Sequence, residues 1–320
     1  MSTPSFRHDA WTNTWVAMAP GRFAIGAMRP GGLPPPGDRC PFCPGHEGDT
    51  ERSTAEIGSP WRARAVLNRF PLTRAESALP IDDAEAKAAE GAHEVIVESR
   101  AHDRDLVDMR PDEALDVLVL WRDRMRALES LAGTRAVTLF RNKGRRAGSS
   151  QPHPHSQIVA LPFVPPHVAR RCEVSLGHQR THGTSLVLHM LARERGDGRR
   201  IVEDADGVVS LCPYASPRAW CSRLVLDTDV PRFSATSDAL LGVLARRLPD
   251  LTARALRASG ATDYNVYVAD PPVGQDTGFA IEIVPRTGGD AGFELSTGTS
   301  VCVVLPEDAA ARMRTAGRAS

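Results

Sequence analysis

The sequence predicts an α+β protein of two related halves, each a mostly antiparallel sheet with helices packed on it. Three observations carry that expectation. Short extended segments end at proline or turn residues, long helical segments show one apolar stripe, and an order of helix, strand, loop, strand occurs twice. In the first half, residues 65–71 read as a strand stopped by Pro71, and residues 93–98 as a strand with Val95 and Val97 on the face of His93. Pro111 opens a helix, with Asp112 and Glu113 in the turn where the helix dipole favours them. Leu115, Leu118, Val119, Met125 and Leu128 form its stripe. Residues 136–140 are the next strand, and the extended segment after it contains His153 and His155. In the second half, residues 237–258 form a long helix with a kink expected at Pro249. Residues 264–269 and 279–284 supply the strands, residues 186–193 a short helix, and residues 196–198 a turn. The two copies suggest a weak internal duplication in which only the first keeps its histidines.

Composition narrows the function. The chain has 320 residues, with 39 Lys+Arg against 39 Asp+Glu, so no charge excess favours nucleic acid or a membrane surface. No apolar run is long enough to span a bilayer, and Met1–Ala10 lacks the apolar centre of a signal peptide. A soluble cytoplasmic protein is expected, with neither nucleic acid nor membrane as partner. Six cysteines in a chain of this length do not read as a disulfide framework.

The most informative stretch is Ser149-Ser-Gln-Pro-His153-Pro-His155-Ser-Gln157. Alternation along an extended segment would put His153, His155 and Gln157 on one face, and the small residues before them would let a phosphate approach the backbone. A single histidine on a strand is commonly a satisfied core or surface group, but two at this spacing beside a glutamine suggest a nucleophile aimed at phosphorus. Cys40 and Cys43 form a two-residue knuckle able to give an ion two thiolates. His93 and His153 are the best candidates to complete a structural Cys2His2 zinc site, buried free cysteines being the alternative.

These residues resemble those of galactose-1-phosphate uridylyltransferase and its relatives in the histidine-triad superfamily. The resemblance rests on Gly148–Gln157 with Phe140–Gly144 before it, and extends to residues 15–22, 40–43, 67–71, 91–99, 281–286 and 291–298. It implies two histidine-triad-like halves, residues 1–165 with the chemistry and zinc, and 166–320 without the histidine pair. It further implies a ping-pong nucleotidyl transfer in which His155 attacks the α-phosphorus of a nucleotide sugar and a hexose 1-phosphate accepts the nucleotide. Gln157 would hold a phosphoryl oxygen; lacking a titratable proton it suits phosphate leaving groups over hydrolysis. By the same resemblance Asn142, Gly148, Ser149, Ser150 and Arg22 contact phosphates, Asn68 and Phe70 the base, and Phe293 and Glu294 the sugar. A homodimer is also implied. Two departures stand out: Gly278-Phe-Ala280-Ile-Glu282 replaces a second histidine pair, so no second metal is expected, and Arg69 replaces an acidic residue. Base and sugar therefore stay open. A phosphorylase that uses inorganic phosphate is the enzymatic alternative, and a zinc-stabilised nucleotide-binding protein without turnover is the non-enzymatic one.

Overall fold

The computed structural model describes residues 5–9, 14–18, 40–77 and 86–317. Strands β1 (Ser5–Asp9), β2 (Thr14–Met18) and β5 (Ala86–Ala88) form a small antiparallel sheet in the order β2-β1-β5. The rest of the first half comprises β3 (Ser53–Ile57), β4 (Ala63–Leu67), β6 (Ala92–Val97), α1 (Pro111–Glu129), β7 (Ala136–Lys143) and β8 (His155–Leu161). Then come α2 (Pro166–His182), α3 (Leu186–Asp197), β9 (Ile201–Ala205), β10 (Val208–Leu211) and β11 (Ser222–Leu226). The chain continues with α4 (Asp238–Ser259), β12 (Tyr264–Ala269), β13 (Ala280–Pro285), α5 (Gly292–Thr297) and α6 (Pro306–Ala316).

The expectation of one sheet per half is corrected here. A single ten-stranded antiparallel sheet runs β3-β4-β6-β8-β7-β12-β13-β11-β10-β9. The junction is β7 against β12, in register from Lys143 opposite Tyr264 to Phe140 opposite Tyr267. Pairing these strands removes two edges that would otherwise expose unpaired backbone groups. Read inward from each edge, β3-β4-β6-β8-β7 and β9-β10-β11-β13-β12 follow the same order, with α1 and α4 entering at corresponding points of the chain.

Local signals explain most helix ends. Pro111 starts α1, and the Glu113 carboxylate accepts from Arg110 N at 2.8 Å. Ser237 caps α4, and Gly260 ends it at φ +70°. Pro249 lies inside α4 without dividing it. Gly196 and Asp197 belong to α3, and only Gly198 turns the chain. The expected three-residue turn is thus a helical C-cap.

Strand alternation divides the sheet into two unlike faces. On one, Ile158, Leu139, Ile281 and Ile283 join Trp121 and Met125 of α1, Leu241 and Leu244 of α4, and Met313 of α6. Trp121 Nε1 donates to Ser156 Oγ at 2.7 Å, which turns Ser156 toward α1 and its neighbours His155 and Gln157 the other way. On that other face α3 covers the second half: Leu191 and Val187 pack with Val209, Leu211, Val225 and Ala280. Among the described residues, the first half carries a small apolar cluster there, Ala89, Val159 and Leu161 with Leu72, Phe140 and Phe163. His155 and Gln157 sit beside it.

A buried ionic network backs this region. Arg141, 1% exposed, donates through Nε to Glu98 (2.8 Å), through Nη2 to Asp105 (2.7 Å) and through Nη1 to the Tyr264 hydroxyl (2.8 Å). Tyr264 in turn donates to Asp105 at 2.9 Å. Removing one partner of a buried ion set strands the remaining charge. Arg141→Met is therefore expected to cost about 3–5 kcal/mol in urea unfolding, and Tyr264→Phe only about 1 kcal/mol.

Asp270 follows β12 and accepts from Phe233 N at 2.8 Å. Burial, reinforced by Glu129, pushes its carboxyl up from 3.8 to about 7 against the pull of Arg232 and Arg171. The folded state then holds this proton more tightly than the unfolded chain, so its stabilisation is complete below 3.8 and disappears as pH rises toward about 7. Asp270→Asn should remove that slope: thermal melts across this window should show wild type losing stability relative to the variant as pH increases.

Candidate active site and metal centre

The loop from β7 to β8 forms the floor of the site, and the second half holds it in shape. Asn142 and Asn265 face each other across the β7–β12 register. Asn265 Nδ2 donates to Asn142 Oδ1 (2.8 Å) and to the Ala147 carbonyl (2.9 Å). Asp263 accepts from Arg146 N at 2.8 Å. Gly144 has φ +82°, and a Cβ there would fall 2.3 Å from the Asp263 carboxyl carbon, so only glycine lets the chain turn over that carboxylate. Ser149 N returns to the Gly144 carbonyl at 3.0 Å, and Ser149 Oγ donates to Gln151 O at 2.8 Å. Gly148 adopts φ +85° beneath the Asn142 amide, and Ser150 is exposed at the loop surface.

His155 opens β8 and is 5% exposed. Its Nδ1 lies 2.8 Å from the His153 carbonyl, so Nδ1–H donates and Nε2 keeps its lone pair. Burial, with the Arg141 and Lys143 charges, lowers its pKa to about 4 and outweighs that backbone bond. The side chain thus presents a neutral, oriented nitrogen with a free lone pair at neutral pH.

Because β8 begins at His155, the expected single face for all three motif side chains reduces to His155 and Gln157. His153 precedes the strand, fully buried, and turns toward the cysteines. Gln157 meets His93: Oε1 is 3.0 Å from His93 Nε2. His93 Nδ1 accepts from Leu72 N at 3.0 Å, and its Nε2 is shared between Gln157 Oε1 and Asn68 Nδ2. Asn68 lies against the same ring at 3.0 Å, and its Oδ1 accepts from Phe70 N at 2.8 Å. His93 therefore corrects the sequence expectation: it orients Gln157 and does not join the metal ligands.

His102 takes that place. The Sγ atoms of Cys40 and Cys43 and one nitrogen each of His102 and His153 lie within 4.8 Å of one another. His153 Nδ1 is 3.7 Å from Cys40 Sγ and 3.6 Å from Cys43 Sγ, and His102 Nδ1 is 3.4 Å from Cys43 Sγ. Tetrahedral zinc with ordinary Zn–S and Zn–N bonds calls for sulfur–nitrogen edges of about 3.6 Å. The donors fit. His153 Nε2 sits 2.8 Å from the Ser99 carbonyl, the outer hydrogen bond that fixes a ligating imidazole. Burial and the adjacent Cys40 push the Cys43 thiol up to about 11, so this thiol needs a cation to ionise at neutral pH. Sequence reasoning missed His102 because it stands in a loop with no spacing relation to the knuckle. Its one signal was nearness in sequence to the strand of His93.

Other predicted residues are not brought to His155. Arg22 lies outside the described residues. Phe293, 56% exposed, and Glu294 are on α5, where the Glu294 carboxylate accepts from Ala291 N at 3.0 Å. In the second half Glu282 occupies the register position of Gln157, flanked by Tyr267 and Arg223 where Gln157 has Phe140 and Val95. It is ion-paired to Arg223 at 2.6 Å, and Ala280 begins β13 as His155 begins β8.

Residues 3–165 match the family described as "Galactose-1-phosphate uridyl transferase, N-terminal domain". Along 98% of its length the chain is 24% identical to ADP-glucose phosphorylase of Arabidopsis thaliana, covering 93% of that protein. It is 28% identical to galactose-1-phosphate uridylyltransferase of Haemophilus influenzae, over 78% of this chain and 73% of that one. The crystal structure of the Arabidopsis ADP-glucose phosphorylase with bound ADP-glucose superposes with a TM-score of 0.77 at 25% identity, covering 98% of this chain and 99% of that one.

The ligand assignment has a direct check. Zinc-loaded His102→Ala should hold one ion per chain fewer than wild type after dialysis, whereas His93→Ala should match wild type by elemental analysis. Chelation of wild type should lower its melting temperature.

Proposed function

Because the chain belongs to the galactose-1-phosphate uridyl transferase family, matched over residues 3–165, we propose that it moves a nucleoside monophosphate from a nucleotide sugar to a phosphate acceptor through a nucleotidyl-His155 intermediate. The observation that carries this reading is the neutral, nearly buried His155, with Nδ1 engaged and Nε2 left as the attacking atom. In the first step Nε2 attacks the nucleotidyl phosphorus; the N–P bond forms, and the P–O bond to the sugar phosphate breaks with its electron pair leaving on oxygen. In the second step an acceptor phosphate oxygen attacks the same phosphorus and the electron pair returns to Nε2. Both leaving groups are weak bases, so no general acid is needed. Gln157, held by His93, serves as a hydrogen-bonding group and not as a proton source.

By the family pattern Asn142, Gly148, Ser149 and Ser150 line the phosphoryl oxygens, with Arg22 as a further cation, while Asn68 and Phe70 face the base; Gly148 and Ser149 spend their N–H groups, and Ser149 its hydroxyl, on the shape of the loop, which leaves Asn142 and Ser150 as the donors. Zinc held by Cys40, Cys43, His102 and His153 would supply structure rather than chemistry: it would fix the backbone whose carbonyl orients His155.

Two acceptors are carried forward. Inorganic phosphate with ADP-glucose as donor is favoured by the Arabidopsis relative, whose match runs along 98% of the chain. A hexose 1-phosphate with a UDP-sugar is the reading the uridylyltransferase relatives support. The two halves, 1–165 and 166–320, are proposed to be duplicated histidine-triad-like units, a reading supported by their matching strand orders. Among the described residues no helix is long and apolar enough to cross a membrane, and a cytoplasmic location is part of the proposal. A homodimer is proposed as well, covering the exposed Phe293, Leu295, Val303 and Leu305, with Phe293 and Glu294 contacting sugar.

Intact-protein mass after incubation with ADP-glucose or a UDP-sugar, without acceptor, tests the mechanism. Wild type should gain one nucleoside monophosphate, and His155→Ala none, with turnover reduced roughly a thousandfold or more. Discharge of the adduct by inorganic phosphate, or by a hexose 1-phosphate, decides between the acceptors. Nucleotide binding without any adduct would leave a binding protein.

A further inference from the structure

The α2–α3 hairpin carries three histidines that the site at His155 does not use. His178 and His182 lie one helical turn apart on α2, and His189 lies one turn into α3. Their ring centres are 4.4 Å apart for His178–His182, 4.8 Å for His178–His189 and 6.3 Å for His182–His189. His178 is partly buried, and its Nε2 is shielded from solvent with no hydrogen-bond partner. A buried ring nitrogen without a partner lacks the interaction that normally offsets its desolvation. His182 and His189 are exposed and at liberty to rotate.

We propose that His178, His182 and His189 form a second transition-metal site, of the class that zinc or nickel occupies through three imidazoles and water. The distances suit it. A metal–nitrogen bond of about 2.0 Å puts each ligating ring centre roughly 3 Å from the ion, and two such rings at a tetrahedral angle stand about 5 Å apart. The observed separations lie on either side of that value. Spacing of four on one helix turns two imidazoles to the same side, and the short Gly183–Ser185 connection returns the chain so that His189 supplies the third. In this structure the His182 and His189 rings are stacked and His178 is tilted against both; rotation about the side-chain bonds of His182 and His189 converges their nitrogens on an ion and gives His178 Nε2 its partner. The site is separate from the Cys40 cluster in chain position and in chemistry, since it offers no thiolate and leaves a coordination position to water. Its occupant would clamp α2 to α3, the helix that covers the second half where the first half has its nucleophile.

The test is zinc titration of the full chain followed by native mass spectrometry, comparing wild type with the double variant His182→Ala/His189→Ala. Both substituted side chains are exposed, and circular dichroism before metal addition checks that folding is intact. Wild type should take up two ions and the variant one, and the second ion should raise the melting temperature of wild type alone. Nickel, which competes well for imidazoles, should fill the same site in zinc-saturated wild type and not in the variant. Equal zinc stoichiometry and equal affinity in the two proteins, or uptake of only one ion by wild type, would falsify the proposal.

Discussion

Arg141 lies on β7, the strand where the two halves meet, and its guanidinium is enclosed on the helix side of the sheet by Glu98, Asp105 and Tyr264. A charge in such a place is tolerable only when every donor is matched, so these partners have little freedom of position. Glu98 directly follows β6, and its backbone N–H reaches the Pro154 carbonyl at 3.1 Å, directly before His155. Tyr264 begins β12. One cation thus sets the end of β6, the approach to His155 and the register of the second half. It also sits across the sheet from His155, where its charge helps keep that imidazole neutral.

The histidine segment divides its labour at the first residue of β8. His153, still outside the strand, is turned to Cys40, Cys43 and His102, and its carbonyl takes the His155 Nδ1 proton. A metal on His153 would therefore act on the nucleophile through one peptide unit, by position and not by charge transfer. Gln157 repeats this logic on the other side, since His93, anchored at Nδ1 by Leu72 N, meets it through Nε2. His155 and Gln157 are thus each held by a histidine that is itself anchored to the backbone.

The unlike faces of the two halves explain why one sheet would have one reaction centre. In the second half Ala280 stands at the start of β13 and packs under α3, while Glu282 is taken up by Arg223. In the first half the corresponding positions hold His155 and Gln157. The second half contributes in another way: Asn265 and Asp263 shape the loop from Gly144 to Ser150. The second half thereby supports the loop that leads to His155 in its neighbour.

Much of this was legible in the sequence because it depends on local periodicity and covalent spacing. The strands at β6, β7, β12 and β13, the long helices α1 and α4, the cysteine knuckle and the spacing of His155 to Gln157 all follow from such signals. Family resemblance then raised Asn142 and Ser149 above ordinary turn residues. What only the tertiary structure decided is which distant groups meet. His102 and not His93 completes the cysteine cluster, because the loop after β6 brings it there and Leu72, Asn68 and Gln157 engage His93. The joining of two sheets into one, the clasp of Asn265 on the loop and the network of Arg141 depend on pairing across more than a hundred residues. No local propensity encodes such contacts; they exist only once the whole sheet has closed around one register.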